Sequence, residues 1–219
     1  MKTILAALAV GLLASGCASI EKVTLAPDAA SSLNGKTLAL STRTATPDFS
    51  AMTAAKGALG MAGALAAISE GNELVRQHAI PVPSEAIGQA LGKQLQGARG
   101  MRLLAAPVVV VSNEPEQVAA AAQGAADFIL DVRTTAWTFS YHPAALTRYR
   151  VNHTAQARLI DTASRKVVAQ GSCAYPLPEA ANAPGYDQLV ADGAALLKQQ
   201  LAAAGQDCAA VLTRDILAL

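Results

Sequence analysis

The sequence has few of the residues from which enzymes usually build their sites. Its 219 residues include three His, three Cys and one Trp, and only 4% are aromatic. It contains no C-x-x-C motif of the thioredoxin type and no G-x-S-x-G nucleophile elbow. Gly57, Gly60 and Gly63 recur every three residues, but no Gly-Lys-Ser/Thr follows to make a phosphate loop. We therefore predict a protein that is not an enzyme and has no cofactor and no metal site.

An excess of charge of either sign is also missing. The chain has 17 basic and 16 acidic residues, and the basic residues form no stripe. Proteins that bind nucleic acid usually show such a stripe, because most of their affinity comes from contacts with phosphates. The composition thus argues against a nucleic-acid partner.

The N-terminus carries the most specific signal. Lys2 is followed by an uncharged apolar run over residues 3–14, which is shorter than the roughly 20 residues of a membrane span and fits a secretory signal. The run ends in Leu13-Ala14-Ser15-Gly16-Cys17, which resembles the lipobox of bacterial lipoproteins. Members usually have Leu three residues before the cysteine, where this chain has Ala14. The alternative is an ordinary signal peptide with a chance cysteine.

The lipobox resemblance implies where the protein is located and how it is anchored. Residues 1–16 would be a signal peptide, and Cys17 would receive a diacylglycerol on its thiol and a fatty acyl chain such as palmitate on its amine. Three acyl chains would anchor the protein stably without a transmembrane helix. In Gram-negative members an Asp after the cysteine favours the inner membrane, so Ala18 favours the periplasmic face of the outer membrane. Removing Lys2 with the signal leaves 16 basic and 16 acidic residues, a formal charge of zero.

The rest of the chain is predicted to form a flexible tether over residues 17–35 and one α+β domain over residues 36–219. Alternation or continuous apolar runs predict strands, and apolar residues at helical spacing predict helices. The expected strands are 36–43, 101–112, 126–141, 148–160 and 166–174. The expected helices are 51–69, 85–98 with Ser84 as N-cap, 114–123 and 186–217. The short turn at 161–164 predicts an antiparallel hairpin. Together they predict helices packed on a mixed, mainly antiparallel sheet.

Residues 51–69 are rich in Ala and Gly and contain one charge, Lys56. Two interpretations of this predicted helix remain open. It could pack on its own domain, or its small residues, including Gly57, Gly60 and Gly63, could let it approach lipid or a second subunit.

The sequence from Ala126-Asp127 to the meander ending in Asp161–Val168 resembles a group of bacterial envelope lipoproteins. The group includes the curli-secretion channel protein and the N-terminal domain of the Tol-system β-propeller protein. Their shared domain resembles the anticodon-binding fold of some tRNA synthetases. The resemblance implies the same fold over roughly residues 36–217. The channel-wall residues of the curli protein have no identifiable counterpart here.

Alternation along the strand at 126–141 places Trp137, Phe139 and Tyr141 on one face. They could pack in the core, or Trp137 and Tyr141 could form an exposed patch for a partner, for lipid acyl chains or for a glycan. His153 also alternates onto an apolar face, so we expect a core histidine rather than a metal ligand.

Lipidation of Cys17 would leave Cys173 and Cys208, which allow a single intramolecular pairing. Cys173 ends a predicted strand on its apolar side, and Cys208 lies on the inward stripe of the last helix, so we predict a disulfide. The alternative is two separate buried thiols.

The most consistent function is a lipid-anchored, non-enzymatic scaffold or accessory subunit of an envelope assembly or export system. Its partner would be an envelope protein or a second copy of the chain. The alternative is a periplasmic module that binds a ligand or a glycan.

Overall fold

The computed structural model describes residues 21–175 and 180–219. The predicted signal peptide and Cys17 lie outside the described residues, as do residues 176–179 of the predicted loop.

In the described residues, seven strands form one mixed sheet whose main path is β3-β1-β5-β6-β7. Strand β1 pairs in parallel with β3, β4 and β5, β2 pairs in parallel with β5, and β5, β6 and β7 are antiparallel. The α+β prediction is confirmed, and the three long antiparallel strands supply most of the paired residues. The strands are β1 Thr37–Thr42, β2 Ser50–Met52, β3 Arg102–Leu103, β4 Val108–Val109, β5 Phe128–His142, β6 Ala145–Asp161 and β7 Val167–Ala174.

Helices cover both faces of the sheet to different extents. On one face, apolar residues of α4 and α6 pack with those of β1, β5, β6 and β7. On the other face, the short α5 covers Ala39, Ile129 and Ile160. The helices are α1 Pro27–Ser32, α2 Ala54–Ala58, α3 Gly60–His78, α4 Pro83–Arg99, α5 Pro115–Ala122 and α6 Tyr186–Leu212, followed by a π-helical turn at Thr213–Leu217. No helix in the described ranges has both the length and the apolarity of a membrane span.

The prediction of a flexible tether is wrong for most of residues 17–35. Val23 exchanges two backbone hydrogen bonds with Gln170 on the outer edge of β7, and the Leu25 amide donates to the Ile216 carbonyl. Leu25 is 3% exposed and Leu33 is fully buried. The segment is polar overall, so these few apolar residues did not predict a packed structure. The free energy gained by burying them outweighs the conformational entropy lost when the segment is ordered.

The Gly/Ala-rich helix predicted at 51–69 is interrupted. Residues 50–52 form β2, Leu59 lies between α2 and α3, and Gly60 begins α3 with a φ of +56°. A Cβ at Gly63 would lie 1.8 Å from the Lys56 carbonyl oxygen, and a Cβ at Gly57 would lie 2.7 Å from the Tyr141 hydroxyl oxygen. The three glycines therefore serve contacts and a turn within the domain.

Three other predicted elements differ from the structure. The buried strand expected at 101–112 is two short edge strands, β3 and β4, separated at Pro107, which cannot donate to a ladder. Val111, beyond β4, is 94% exposed. The helix expected at 186–217 has non-helical backbone at residues 191–194, around Gly193. The N-cap of α4 is Val82 rather than Ser84, because Pro83 occupies the first turn.

Candidate functional site

The predicted disulfide is present. Cys173 at the end of β7 is bonded to Cys208 on α6, with their Cα atoms 5.3 Å apart. Both residues are buried, at 3% and 1% exposure. The bond joins the sheet to the helix that covers it, so its role is structural.

The aromatic residues considered for a glycan or partner surface lie in the core. Trp137 is 3% exposed and Phe139 is fully buried, while Tyr141 is half-buried beside Gly57. The Trp137 ring packs 5.0 Å from that of Phe49, centroid to centroid. The rings thus fill a cluster between β5, α3 and α6, and the aromatic groove required by the glycan-binding alternative is not formed by Trp137 and Tyr141.

His153 is a buried core histidine, as expected. It lies opposite Trp137 in the β5–β6 ladder, and its Nε2 is 3.2 Å from the Thr134 hydroxyl. Burial lowers the pKa of His153 to about 4, so the ring is neutral near pH 7. Among the described residues, no three His, Cys, Asp or Glu side chains converge closely enough to hold a metal ion.

A buried ionic cluster crosses the middle of the sheet on the face opposite α4. The Asp131 carboxylate accepts hydrogen bonds from Arg158 at 2.6 Å, from Arg43 at 2.8 Å and from the Ser41 hydroxyl at 2.7 Å. Burial alone raises the pKa of Asp131, but these donors outweigh it and hold the pKa below its ordinary value. Arg133 lies beside the cluster and donates from Nε to Gln156 at 2.8 Å.

Helices α2 and α3 present an exposed apolar patch. Leu59, Met61 and Leu65 are 66%, 83% and 66% exposed, and exposed Ala58, Ala62 and Ala66 lie between them. The opposite side of α3 is buried through Gly63, Ala67, Gly71 and Leu74. We call this patch the α3 apolar surface. The first interpretation is confirmed for the buried side of α3, which packs on the domain, and contact of the exposed side with lipid or a second subunit stays a prediction.

A crevice opens where β1 ends. Strand β1 pairs with β5 up to Leu130, and β2 resumes the pairing at Thr138. In the described part of the chain, no strand pairs with the intervening residues of β5 on this edge. The N-terminus of α4 lies there, and Ser84 and Glu85 line two adjoining cavities of about 350 and 270 Å³. Ligands of open α/β sheets commonly bind beyond the carboxyl ends of parallel strands, next to helix N-termini.

Sequence patterns alone did not identify the Asp131 cluster or the crevice. Asp131, Arg133 and Arg158 share the polar side of an alternating pattern, which normally indicates a solvent-facing surface. Their burial depends on Arg43 and the residues after β1, which are distant in sequence. The signal that could have indicated the cluster was a pair of opposite charges, Asp131 and Arg158, in the middle of two neighbouring strands.

The chain has weak structural likenesses to two bacterial proteins. One is protein XCC0632 from Xanthomonas campestris, assigned to DUF330, with 10% identity and a TM-score of 0.39 over 86% of this chain and 89% of that one. The other is lipoprotein GNA1162 from Neisseria meningitidis, with 19% identity and a TM-score of 0.27 over 75% of this chain and 97% of that one. No family model and no curated protein match the chain, so the residues themselves carry the functional argument.

Proposed function

We propose that this protein is a lipid-anchored component of the bacterial envelope that acts as a non-enzymatic scaffold or accessory subunit of an assembly or export system. The lipid would be attached to Cys17, and the domain would lie on the periplasmic face of the outer membrane. The resemblance to the curli and Tol group is part of this proposal and stays a prediction.

The α3 apolar surface is the observation that carries the proposal. No charged residue occurs from Gly57 to Ser69, and the charge of the neighbouring Lys56 is paired with Glu70. Contiguous exposed apolar residues are typical of interaction sites. The alanines between the larger side chains would let a second helix approach closely. We therefore expect an apolar helix of an envelope protein, or α3 of a second copy, to pack there.

A photocrosslinking residue at Leu65 of the full-length, membrane-attached protein tests this role. It should form adducts with protein, because a bound helix would lie against this position. The matched control is Gln77, which is exposed near the C-terminal end of the same helix. Met61→Glu should suppress the Leu65 adducts while leaving the fold intact. Adducts to lipid alone, or equal yields at Leu65 and Gln77, would contradict the proposal.

The anchor is tested separately. Cys17→Ser should abolish labelling by an alkyne fatty acid and leave the precursor uncut, because lipidation of the thiol precedes cleavage in the lipoproteins that the N-terminus resembles. Mass spectrometry of the intact protein measures both effects, and Ala18→Ser is the control. A Cys17→Ser protein that is labelled and matured normally would rule the anchor out.

A further inference from the structure

The larger cavity of the crevice is mainly apolar. It lies between β1 and α4. Its apolar lining includes Leu40, Leu103, Leu130 and Val132, and polar or charged residues such as Glu85, Gln89 and Lys93 line it as well. Gly88 of α4 also lines it, and the missing side chain leaves space over Val132. A volume of about 350 Å³ falls within the range of small-molecule sites, roughly 300–1,000 Å³.

The smaller cavity presents charged and polar side chains within a mainly apolar wall, and two of its lining residues, Arg43 and Arg133, are cationic against one acid, Glu85. Arg43, Asn113, Arg133 and Thr134 line it. Asp131 neutralises Arg43, whereas the described residues give Arg133 a hydrogen bond to Gln156 and no ion pair. The guanidinium of Arg133 thus remains available to an anion, and a guanidinium binds carboxylates and phosphates through two donors at once.

The N-terminus of α4 adds to this positive potential. The helix has 17 residues and no side-chain N-cap bond, so the positive end of its dipole lies at the junction of the cavities. Pro83 has no amide hydrogen and the Glu85 amide donates to the Val82 carbonyl, which leaves the Ser84 amide as a donor in this turn. Ser84 lines both cavities and is only 8% exposed, and no hydrogen bond of its hydroxyl is found within the described residues. This hydroxyl can therefore donate to a ligand at the point where a polar head group would meet an apolar chain.

From this arrangement we infer that the crevice binds a single-chain amphiphile with an anionic head group, such as a fatty acid or a lysophospholipid. The acyl chain occupies the larger cavity, and the head group contacts Arg133 and the hydroxyl and amide of Ser84. Glu85 lies exposed on the shared rim and lowers the affinity by repulsion. The site lies apart from the α3 apolar surface and goes beyond the proposed scaffold role.

Photoreactive amphiphiles test the inference on the full-length protein in its native membrane. Three probes share a dodecyl chain with a terminal diazirine and differ in the head group, which is a carboxylate, a lysophosphatidate or an uncharged alcohol. The adducts are located by peptide mass spectrometry, and the half-saturating concentration of each probe is measured. At least one anionic probe should label peptides covering residues 84–107, and the comparison of the two identifies the preferred head group.

Charge variants then test the head-group contact. Arg133→Gln should raise the half-saturating concentration of the anionic probe about tenfold, the effect of one lost charge-assisted interaction, without changing that of the alcohol. Glu85→Gln should lower the half-saturating concentration of the anionic probe. Arg150→Gln, an arginine on β6 outside the crevice that bonds to Ser140, is the matched control and should change nothing.

A filled cavity tests the chain contact. A Cβ at Gly88 would lie 3.7 Å from Val132, an ordinary contact, so Gly88→Leu should direct its side chain into the apolar cavity. Leu also favours a helix more than Gly does, so the melting temperature should not fall while labelling is lost. Any of three results would overturn the inference. The adducts could be distributed over all exposed apolar residues, the folded Gly88→Leu variant could be labelled as strongly as the wild type, or Arg133→Gln could change the half-saturating concentration no more than Arg150→Gln does.

Discussion

Replacing Cys173 and Cys208 together by Ala is expected to lower the free energy of unfolding by about 4 kcal/mol. The bond closes a loop between residues 35 apart in sequence, and such a link restricts the unfolded chain by ~4 kcal/mol in the loop-entropy model. That loss is a large share of the ~5–15 kcal/mol by which most domains are stable. Urea denaturation of the double variant and of the wild type, with and without reductant, measures it.

The single variants provide the control. Either substitution breaks the same bond. Measured in reductant and compared with the oxidised wild type, Cys173→Ala and Cys208→Ala should therefore each lower the free energy of unfolding nearly as much as the double substitution, and the two losses should not add. Reductant should destabilise the wild type to a similar extent and leave the double variant unchanged. A double variant within about 1 kcal/mol of the oxidised wild type would show that the bond adds little.

Asp131→Asn is expected to cost about 3–5 kcal/mol at pH 7. The Arg158 side chain is only 5% exposed and pairs with Asp131, so the substitution leaves a buried guanidinium without a compensating charge. Chemical denaturation measures the loss. Asp207→Asn, at an exposed position on α6, is the control and should stay within about 0.5 kcal/mol of the wild type. Adding Arg158→Met to Asp131→Asn should recover part of the lost stability. If Asp131→Asn caused no loss and Arg158→Met no recovery, the ion pairs would contribute little to stability.

The same cluster predicts how stability depends on pH. The pKa of Asp131 is lower in the folded protein than its ordinary value near ~3.9, so the folded state favours the charged carboxylate. Its contribution is therefore complete above the ordinary pKa and is lost as the pH falls through it toward the folded pKa. The wild type should lose stability below about pH 4 more steeply than the Asp131→Asn variant.

Local patterns predicted the parts of the fold that depend on neighbouring residues. Alternation over residues 126–141 and 148–160 located β5 and β6, the turn at 161–164 located the β6–β7 hairpin, and the stripe of Ile87, Leu91 and Leu95 located α4. The disulfide followed from two cysteines on inward-facing positions. The strands and α4 are determined by periodicity within one element, which a single sequence contains. The disulfide needed such periodicity in two elements and only two cysteines left to pair.

The remaining features depend on contacts between distant segments. The packing of residues 22–33 requires the edge of β7 and the C-terminal turn. The burial of Asp131 requires Arg43 and Arg158 from two other strands. The pattern of residues along the sequence does not show these partners. It therefore predicted a tether for residues 22–33 and a polar surface around Asp131.

The attachment of the N-terminal segment to the end of the chain has a consequence for the order of folding. The Thr24 hydroxyl donates to the Asp215 carbonyl across 191 residues, and Lys22 lies 3.5 Å from the Asp215 carboxylate. A chain exported N-terminus first would present this segment long before its binding surface exists. The outer edge of β7 would be covered only after the last helix has emerged, and contacts of such high sequence separation form slowly. Until then the chain would expose an unpaired strand edge, the kind of surface that recruits other unfolded chains.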